Sequence, residues 1–203
     1  LYQTLGRFDE SYTYVGRCLD IAREIGQKYL EGCALFARGW AEVNQGQTAQ
    51  GIKTLTASEA LCQAIGAEYF VFQSAMRKAE ARLSTFPGDK INQAPEWIQT
   101  LKNHPDGPDH EGDILRLEAM LARHHERLVE ALEAIDKSLA KIDQQREPFL
   151  YLLSDVERIL ILRQMGQDVT NEQGQALIRW QRVAQVNTLP PPSISSKLFS
   201  IIG

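Results

Sequence analysis

The chain has 203 residues, 43% apolar and 24% charged, with a formal net charge of −4. That is enough chain to bury a sizeable core, and the composition is that of an ordinary globular protein. The small negative charge and the absence of a long basic run argue against nucleic acid as a partner of this segment, because phosphate contacts need clustered Lys and Arg. The longest aliphatic run, Ile159 to Leu162, is far too short to span a bilayer, so no membrane partner is expected. The N-terminal residues do not read as a signal peptide. Cys18, Cys33 and Cys62 are odd in number and form no Cys-x-x-Cys. They read as small buried thiols in a reducing compartment, which makes a cytoplasmic location the expectation.

Leu1–Leu5 reads as the tail of a helix, followed by a turn at Gly6–Glu10. A helix is then expected to about Ile25, because Phe8, Tyr12, Val15, Leu19 and Ala22 recur at the spacing of one helix face. The next helices are expected at Lys28–Gln45 and Thr48–Ile65, with a turn at Gly46, Thr48 as N-cap and Gly66 as the left-handed stop. A third long helix is expected at Glu68–Ser84, a break at Phe86–Asp89, and a short helix at Pro95–Asn103. His104-Pro105-Asp106-Gly107-Pro108-Asp109-His110 reads as a loop dividing the chain, either as a hinge or as a tight connection. Beyond it, helices are expected at Glu111–His124, Leu128–Asp143, Pro148–Met165 and from Thr170 to about Val186. Thr170–Gln173 has the form of a capping box. Pro190-Pro191-Pro192 stops helix formation, and Ser193–Gly203 is a short apolar tail. The expected organisation is therefore residues 1–103, a first subarray of hairpins; 104–110, a loop; 111–186, a second subarray; and 187–203, a proline-rich break and tail.

Sliding the chain along itself shows a 40-residue step. Gly6, Gly46 and Gly166 fall on it, with Glu126 in the tooth between the last two. Ile25-Gly26 recurs as Ile65-Gly66, and Tyr29 as Tyr69. Gly39, Ala79 and Ala119 place small residues at one position, where helix backbones can approach, and the rule fails at Ile159. A helical pattern with such a period predicts an all-α, antiparallel helix-hairpin solenoid of about 4.5 repeats of 40 residues, rather than a helical bundle without a repeat.

Leu5-Gly6-Arg7-Phe8-Asp9-Glu10-Ser11 and Leu128-Val129-Glu130-Ala131 resemble the turn and second-helix start of tetratricopeptide repeats. Arg38 to Gln47, Gly51-Ile52 and Ile65 to Tyr69 resemble the longer form of that repeat. This form occurs in the helical arrays of bacterial signalling ATPases, namely large LuxR-type transcription activators and class III adenylate cyclases. The third hairpin departs from this pattern between Phe86 and Pro95. The resemblance implies a right-handed, TPR-like sensor or protein-contact region. The ATPase, cyclase and DNA-binding parts are separate domains in that family, and none of their motifs is present.

No P-loop, nucleophile elbow or His-Glu-x-x-His occurs, so no catalytic, cofactor-binding or metal residue is expected and the chain reads as non-enzymatic. His124-His125-Glu126 reads as a solvated helix end. His104, Asp106, Asp109 and His110 read as turn residues, with a metal-using helical enzyme as the remote alternative. Phe36, Trp40 and Tyr69 read as core aromatics rather than docking groups. Arg38, Lys78 and Arg158, interrupted by Glu118, form a column at the 40-residue step. They read either as ordinary exposed charges or as a basic ledge on an inner surface. The residues assigned to partner binding are Arg38, Glu42, Lys78, Arg116 and Arg158. The expected function is a scaffold or sensor presenting a concave groove to a peptide or protein, including other domains of a parent chain. The alternative is an effector-sensing regulatory segment of a larger signalling ATPase.

Overall fold

The computed structural model describes residues 8–85 and 91–185; the expectations for 1–7, 86–90 and 186–203 lie outside them. The described residues are all-helical. The α-helices are α1 Phe8–Glu24, α2 Lys28–Asn44, α3 Thr48–Ala64, α4 Glu68–Thr85, α5 Ala94–Asn103, α6 Glu111–His124, α7 Leu128–Lys141, α8 Pro148–Gln164 and α9 Thr170–Gln185. Among the described residues, no helix is long and apolar enough to cross a membrane. The loop at 104–110 is only half a loop, since Pro108–His110 is a turn of 3₁₀ helix leading directly into α6.

The corners fall where turn chemistry put them. After α2 the chain closes with Gly46 N–H donating to the Val43 carbonyl and Gln47 N–H to the Glu42 carbonyl. The same pair of bonds closes α6, from Glu126 to Arg123 and from Arg127 to Ala122. It also closes α8, from Gly166 to Arg163 and from Gln167 to Leu162. This is the reverse turn that satisfies a helix's last carbonyls, and it needs one residue with positive φ. Glycine supplies it at Gly46 (φ 83°) and Gly166 (φ 77°), whereas Glu126 supplies it at φ 58° against the preference of an L-residue.

Two N-caps differ from expectation. Thr48 is already the first helical residue, and Gln47 precedes it without a side-chain cap. At α9 the capping oxygen comes from Asp168, whose Oδ1 accepts from both the Thr170 hydroxyl (2.6 Å) and the Thr170 N–H (3.0 Å). A carboxylate is the better acceptor at a helix start, so it displaces the neighbouring hydroxyl from that role.

Each helix packs on the next, and α2, α4, α6 and α8 also pack side by side in a row. Gly39 of α2 and Gly51 of α3 allow a close crossing. A Cβ on Gly39 would lie 2.9 Å from the Leu55 nitrogen and 3.0 Å from the Gly51 carbonyl oxygen. One 40-residue step after Gly39 lies Ala79, and the next two positions, Ala119 and Ile159, are buried with it. Ile159 packs with Leu162, Val169 and Ala176.

A second recurrence is polar. Ser58 Oγ donates to the Gly32 carbonyl at 2.9 Å and receives Ser74 Oγ at 3.3 Å. Two steps later, Ser138 Oγ donates to the Gly112 carbonyl at 2.7 Å and meets Ser154 Oγ at 3.1 Å. All four serines are fully buried, so these bonds tie α3 to α2 and α4, and α7 to α6 and α8, in the same manner. The third hairpin departs from the repeat in sequence, yet it contributes to the largest core cluster. Ile91, Ala94, Ile98 and Leu101 close against Phe72, Met76 and Leu83 of α4 and Ile114 and Leu117 of α6.

Two substitutions test this geometry. Glu126→Gly removes a left-handed L-residue and is expected to stabilise the protein by about 1 kcal/mol, read as a rise in thermal midpoint. Gly39→Ala forces α2 and α3 apart and is expected to cost about 1–3 kcal/mol despite alanine's better helix propensity. A midpoint equal to or above wild type for Gly39→Ala would refute the close crossing.

Candidate functional site

The 40-residue charge column resolves into pairs that reach back to the preceding helix. Arg38 Nη2 donates to the Tyr12 hydroxyl of α1 at 3.1 Å, and its Nε meets Glu42 at 2.9 Å. Lys78 pairs with Glu59 of α3. Glu118, the acidic interruption, pairs with Lys102 of α5 at 2.5 Å. Arg158 pairs with Asp136 of α7 at 2.7 Å. The column inverts at Glu118 and its partner inverts with it, so the pairing survives.

Of the residues assigned to partner binding, Arg38 and Glu42 bond each other, and Glu42 also accepts from Thr54 Oγ1 at 2.6 Å. Lys78 and Arg158 are tied separately to neighbouring helices. Arg116 belongs to a different group altogether.

That group is a closed ring of four charges between α4 and α6. Arg77 meets Glu80 at 2.7 Å and Asp113 at 3.1 Å; Arg116 meets Glu80 at 3.0 Å and Asp113 at 3.2 Å. Each helix contributes one arginine and one acid three residues apart, which puts both on one face. The side chains of Arg77, Asp113 and Arg116 are 3–4% exposed and that of Glu80 14%. Burial pushes the Glu80 carboxyl up, but Arg116 and Arg77 overcome it and hold it at about 2. Burial likewise works against the Arg116 charge, while Glu80 and Asp113 keep its proton firmly on. Both guanidinium Nε atoms are buried without an acceptor.

The ring forms part of the wall of a cavity of about 490 Å³ whose lining comes from all four helices of the row. α2 gives Trp40, Val43 and Asn44. α4 gives Arg77, Glu80, Ala81 and Ser84. α6 gives Arg116, Met120 and Arg123. α8 gives Leu153, Val156, Glu157 and Leu160. The helices are stitched to one another around it. The Arg77 guanidinium carbon lies 4.8 Å from the centre of the Trp40 ring. Arg123 Nε donates to Glu157 Oε1 at 2.5 Å, joining α6 to α8. Trp40 also meets Phe149 edge-on at 6.4 Å, so the row curls until α2 and α8 touch.

No protein-family model, curated protein or solved structure matches this chain.

The aromatics divide between core and surface. Trp40 is buried and Phe36 packs against it, but Tyr69 is exposed, at 51%. Tyr69 sits edge-on to Phe70 at 5.2 Å. The neighbouring Phe70 takes the contact with α2 instead, meeting Phe36 and Tyr29 edge-on at 5.7 and 5.9 Å.

Three histidines, His104, His110 and His124, make contacts within the fold. His104 stacks on Phe72 at 4.8 Å, and His110 lies 5.2 Å from the same ring with a 2.9 Å bond to Gln73. His124 is not simply a solvated helix end, because its Nε2 lies 2.6 Å from the Leu83 carbonyl and bonds α6 to α4. Among the described residues, no group of three or more His, Cys, Asp and Glu is placed to hold a metal.

Sequence reading missed Arg77, Glu80, Asp113, Arg123 and Glu157. The available signal was an Arg and an acid at three-residue spacing on faces otherwise rich in Met, Ala and Leu. Charges on such a face are buried only when something answers them.

Because the folded Glu80 carboxyl titrates near 2, below the ordinary glutamate range, its contribution is complete above about pH 4.5. It is lost progressively as pH falls toward 2. Acid titration of stability in wild type and Glu80→Gln checks this: the wild-type curve should fall through that window more steeply than the variant's. At neutral pH, Asp113→Asn should cost about 3–5 kcal/mol, since it leaves two buried guanidinium groups facing one acid.

Proposed function

We propose that the chain is a TPR-like helix-hairpin solenoid acting as a non-enzymatic protein-interaction scaffold or sensor. In this reading, the row α2, α4, α6 and α8 forms its inner surface and receives a segment of a peptide or protein partner. The 40-residue sequence step, the repeated corner geometry and the twice-occurring serine bonds support the repeat reading. The single observation that carries the functional reading is the cavity of about 490 Å³ lined by every helix of the row. Its size falls within the roughly 300–1,000 Å³ of ligand pockets, and its lining mixes apolar side chains with polar groups held in place by their own bonds.

Leu153, Val156 and Leu160, three and four residues apart on α8, stand half-buried on the α8 side of the wall and offer contact for a docked side chain. The charge column lies in inter-helix pairs, so docking rests on shape and a few anchors rather than on a basic ledge.

Peptides selected from a random library on the folded chain provide the test. Binding should fall by ten-fold or more in Val156→Glu and stay unchanged in Val129→Glu, a change on the exposed face of α7. Melting curves would confirm that both variants remain folded. Selected peptides that bind folded Val156→Glu as well as wild type would remove the cavity as the docking site.

A further inference from the structure

Away from the cavity, the molecule exposes an apolar edge. Five of the nine large hydrophobic side chains exposed among the described residues gather there: Ile25, Tyr29, Leu30, Ile65 and Tyr69, each 39–59% exposed. They flank the turns that lead into α2 and α4, at the opposite end of those two helices from the cavity. Gly32 adjoins Cys62 and Gly39 adjoins Leu55, and this antiparallel register of α2 and α3 sets Tyr29 beside Ile65. Phe70 joins the two turns, since its ring lies 5.9 Å from that of Tyr29 and 5.2 Å from that of Tyr69. Beyond Tyr69 the strip continues to His110, 6.3 Å away. Single exposed apolar side chains need no explanation, but a contiguous group of them is the mark of a contact surface.

The charges around the patch narrow what can cover it. Arg23 and Lys28 both close on Glu31, at 3.0 and 2.9 Å. Glu24, Glu68 and Asp109 precede Ile25, Tyr69 and His110 in the chain, are exposed, and pair with no cation among the described residues. With both nearby cations committed to Glu31, the rim of the patch is net negative. An anionic lipid surface is repelled by such a rim, and a second copy meeting it patch to patch would bring like charges together. A cationic segment is complementary to it, and lysine or arginine can also lie over the faces of the two exposed tyrosines.

We propose that this edge is a second docking surface, separate from the cavity, and that it takes a cationic amphipathic segment of a protein partner. Leucine- or isoleucine-like side chains of that segment cover Ile25, Leu30 and Ile65, while its lysines or arginines reach Glu24, Glu68 and Asp109.

Three peptides of equal length test this on the full chain, labelled with ¹³C at its methyl groups. One is an amphipathic helix of leucine and lysine; the second has glutamate in place of every lysine; the third has glutamine in place of every leucine. The leucine–lysine peptide should move the methyls of Ile25, Leu30 and Ile65 at concentrations at least ten-fold below those the other two require. Glu24→Lys combined with Glu68→Lys should weaken it ten-fold or more, and so should Tyr29→Ser combined with Tyr69→Ser, with melting curves confirming that both variants stay folded. The charge variant touches no packing contact, so it decides the matter even if the tyrosine variant loosens the fold. Glu133→Lys, on the exposed face of α7, should change nothing. Equal binding of the glutamate peptide, shifts that miss these three methyls, or full binding by the charge variant would overturn the proposal. Loss of binding in Val156→Glu would place the peptide in the cavity instead and overturn it too. Sedimentation of the chain alone should show no dimer that the tyrosine variant dissolves; such a dimer would give the edge to a second copy.

Discussion

A guanidinium group cannot be taken out of water without an answering charge, and between α4 and α6 there are two of them. The ring of Arg77, Glu80, Asp113 and Arg116 meets that condition only in one alignment. On each helix the arginine and the acid are three residues apart, but in opposite order along the chain: Arg then Glu on α4, Asp then Arg on α6. A slip of one helical turn, about 5.4 Å, would leave a buried charge on each helix unanswered. Such a ring adds little stability over a well-packed apolar contact of the same volume, since desolvation consumes most of the Coulomb gain. What it supplies here is register. α4 and α6 are the middle members of the row, so fixing them fixes the frame against which α2 and α8 are placed, through Trp40 on one side and Arg123–Glu157 on the other.

Much of the architecture was legible because it is written locally. Helix ends follow from turn residues and short-range periodicity, and the corners at Gly46, Glu126 and Gly166 stood on the 40-residue step before any contact was known. The small residue Gly39 marks a crossing for the same reason: its close neighbours, Gly51 and Leu55, lie within one hairpin. The site was less legible because its contacts are made between hairpins. Asp113 answers Arg77 from 36 residues away, and no column at the 40-residue step announces it, since the equivalent of Asp113 on α4 is Gln73. Trp40 and Phe149 come together only because the row curls, and curvature is the sum of small rotations that no single window of sequence contains.

The charge column combines a sequence recurrence with pairing inside the fold. Arg38, Lys78 and Arg158 do recur at equivalent places, and the recurrence suggests a shared surface. In the fold they bond to the helix before their own, and the exception keeps to the same arrangement. Where the column carries Glu118, the preceding helix carries Lys102 in place of an acid or a phenol. An inter-helix pair requires that compensation of the reversal on the neighbouring helix.

This pairing has a consequence for how any partner is met. With the column neutralised pair by pair and the ring neutral as a whole, the row presents no concentrated field of either sign. Long-range steering of a charged partner requires such a field, so a partner docking at this face, as proposed above, would be met without that acceleration and discriminated by short-range terms. Those terms would be the fit of an apolar group among Trp40, Met120, Leu153 and Val156, and hydrogen bonds to polar groups of the wall such as Asn44, Ser84 and Thr85. Both decay within a few ångströms. They are effective only if the helices that carry them are already held in place, which is the condition that the buried ring and the curl of α2 onto α8 satisfy before any partner arrives.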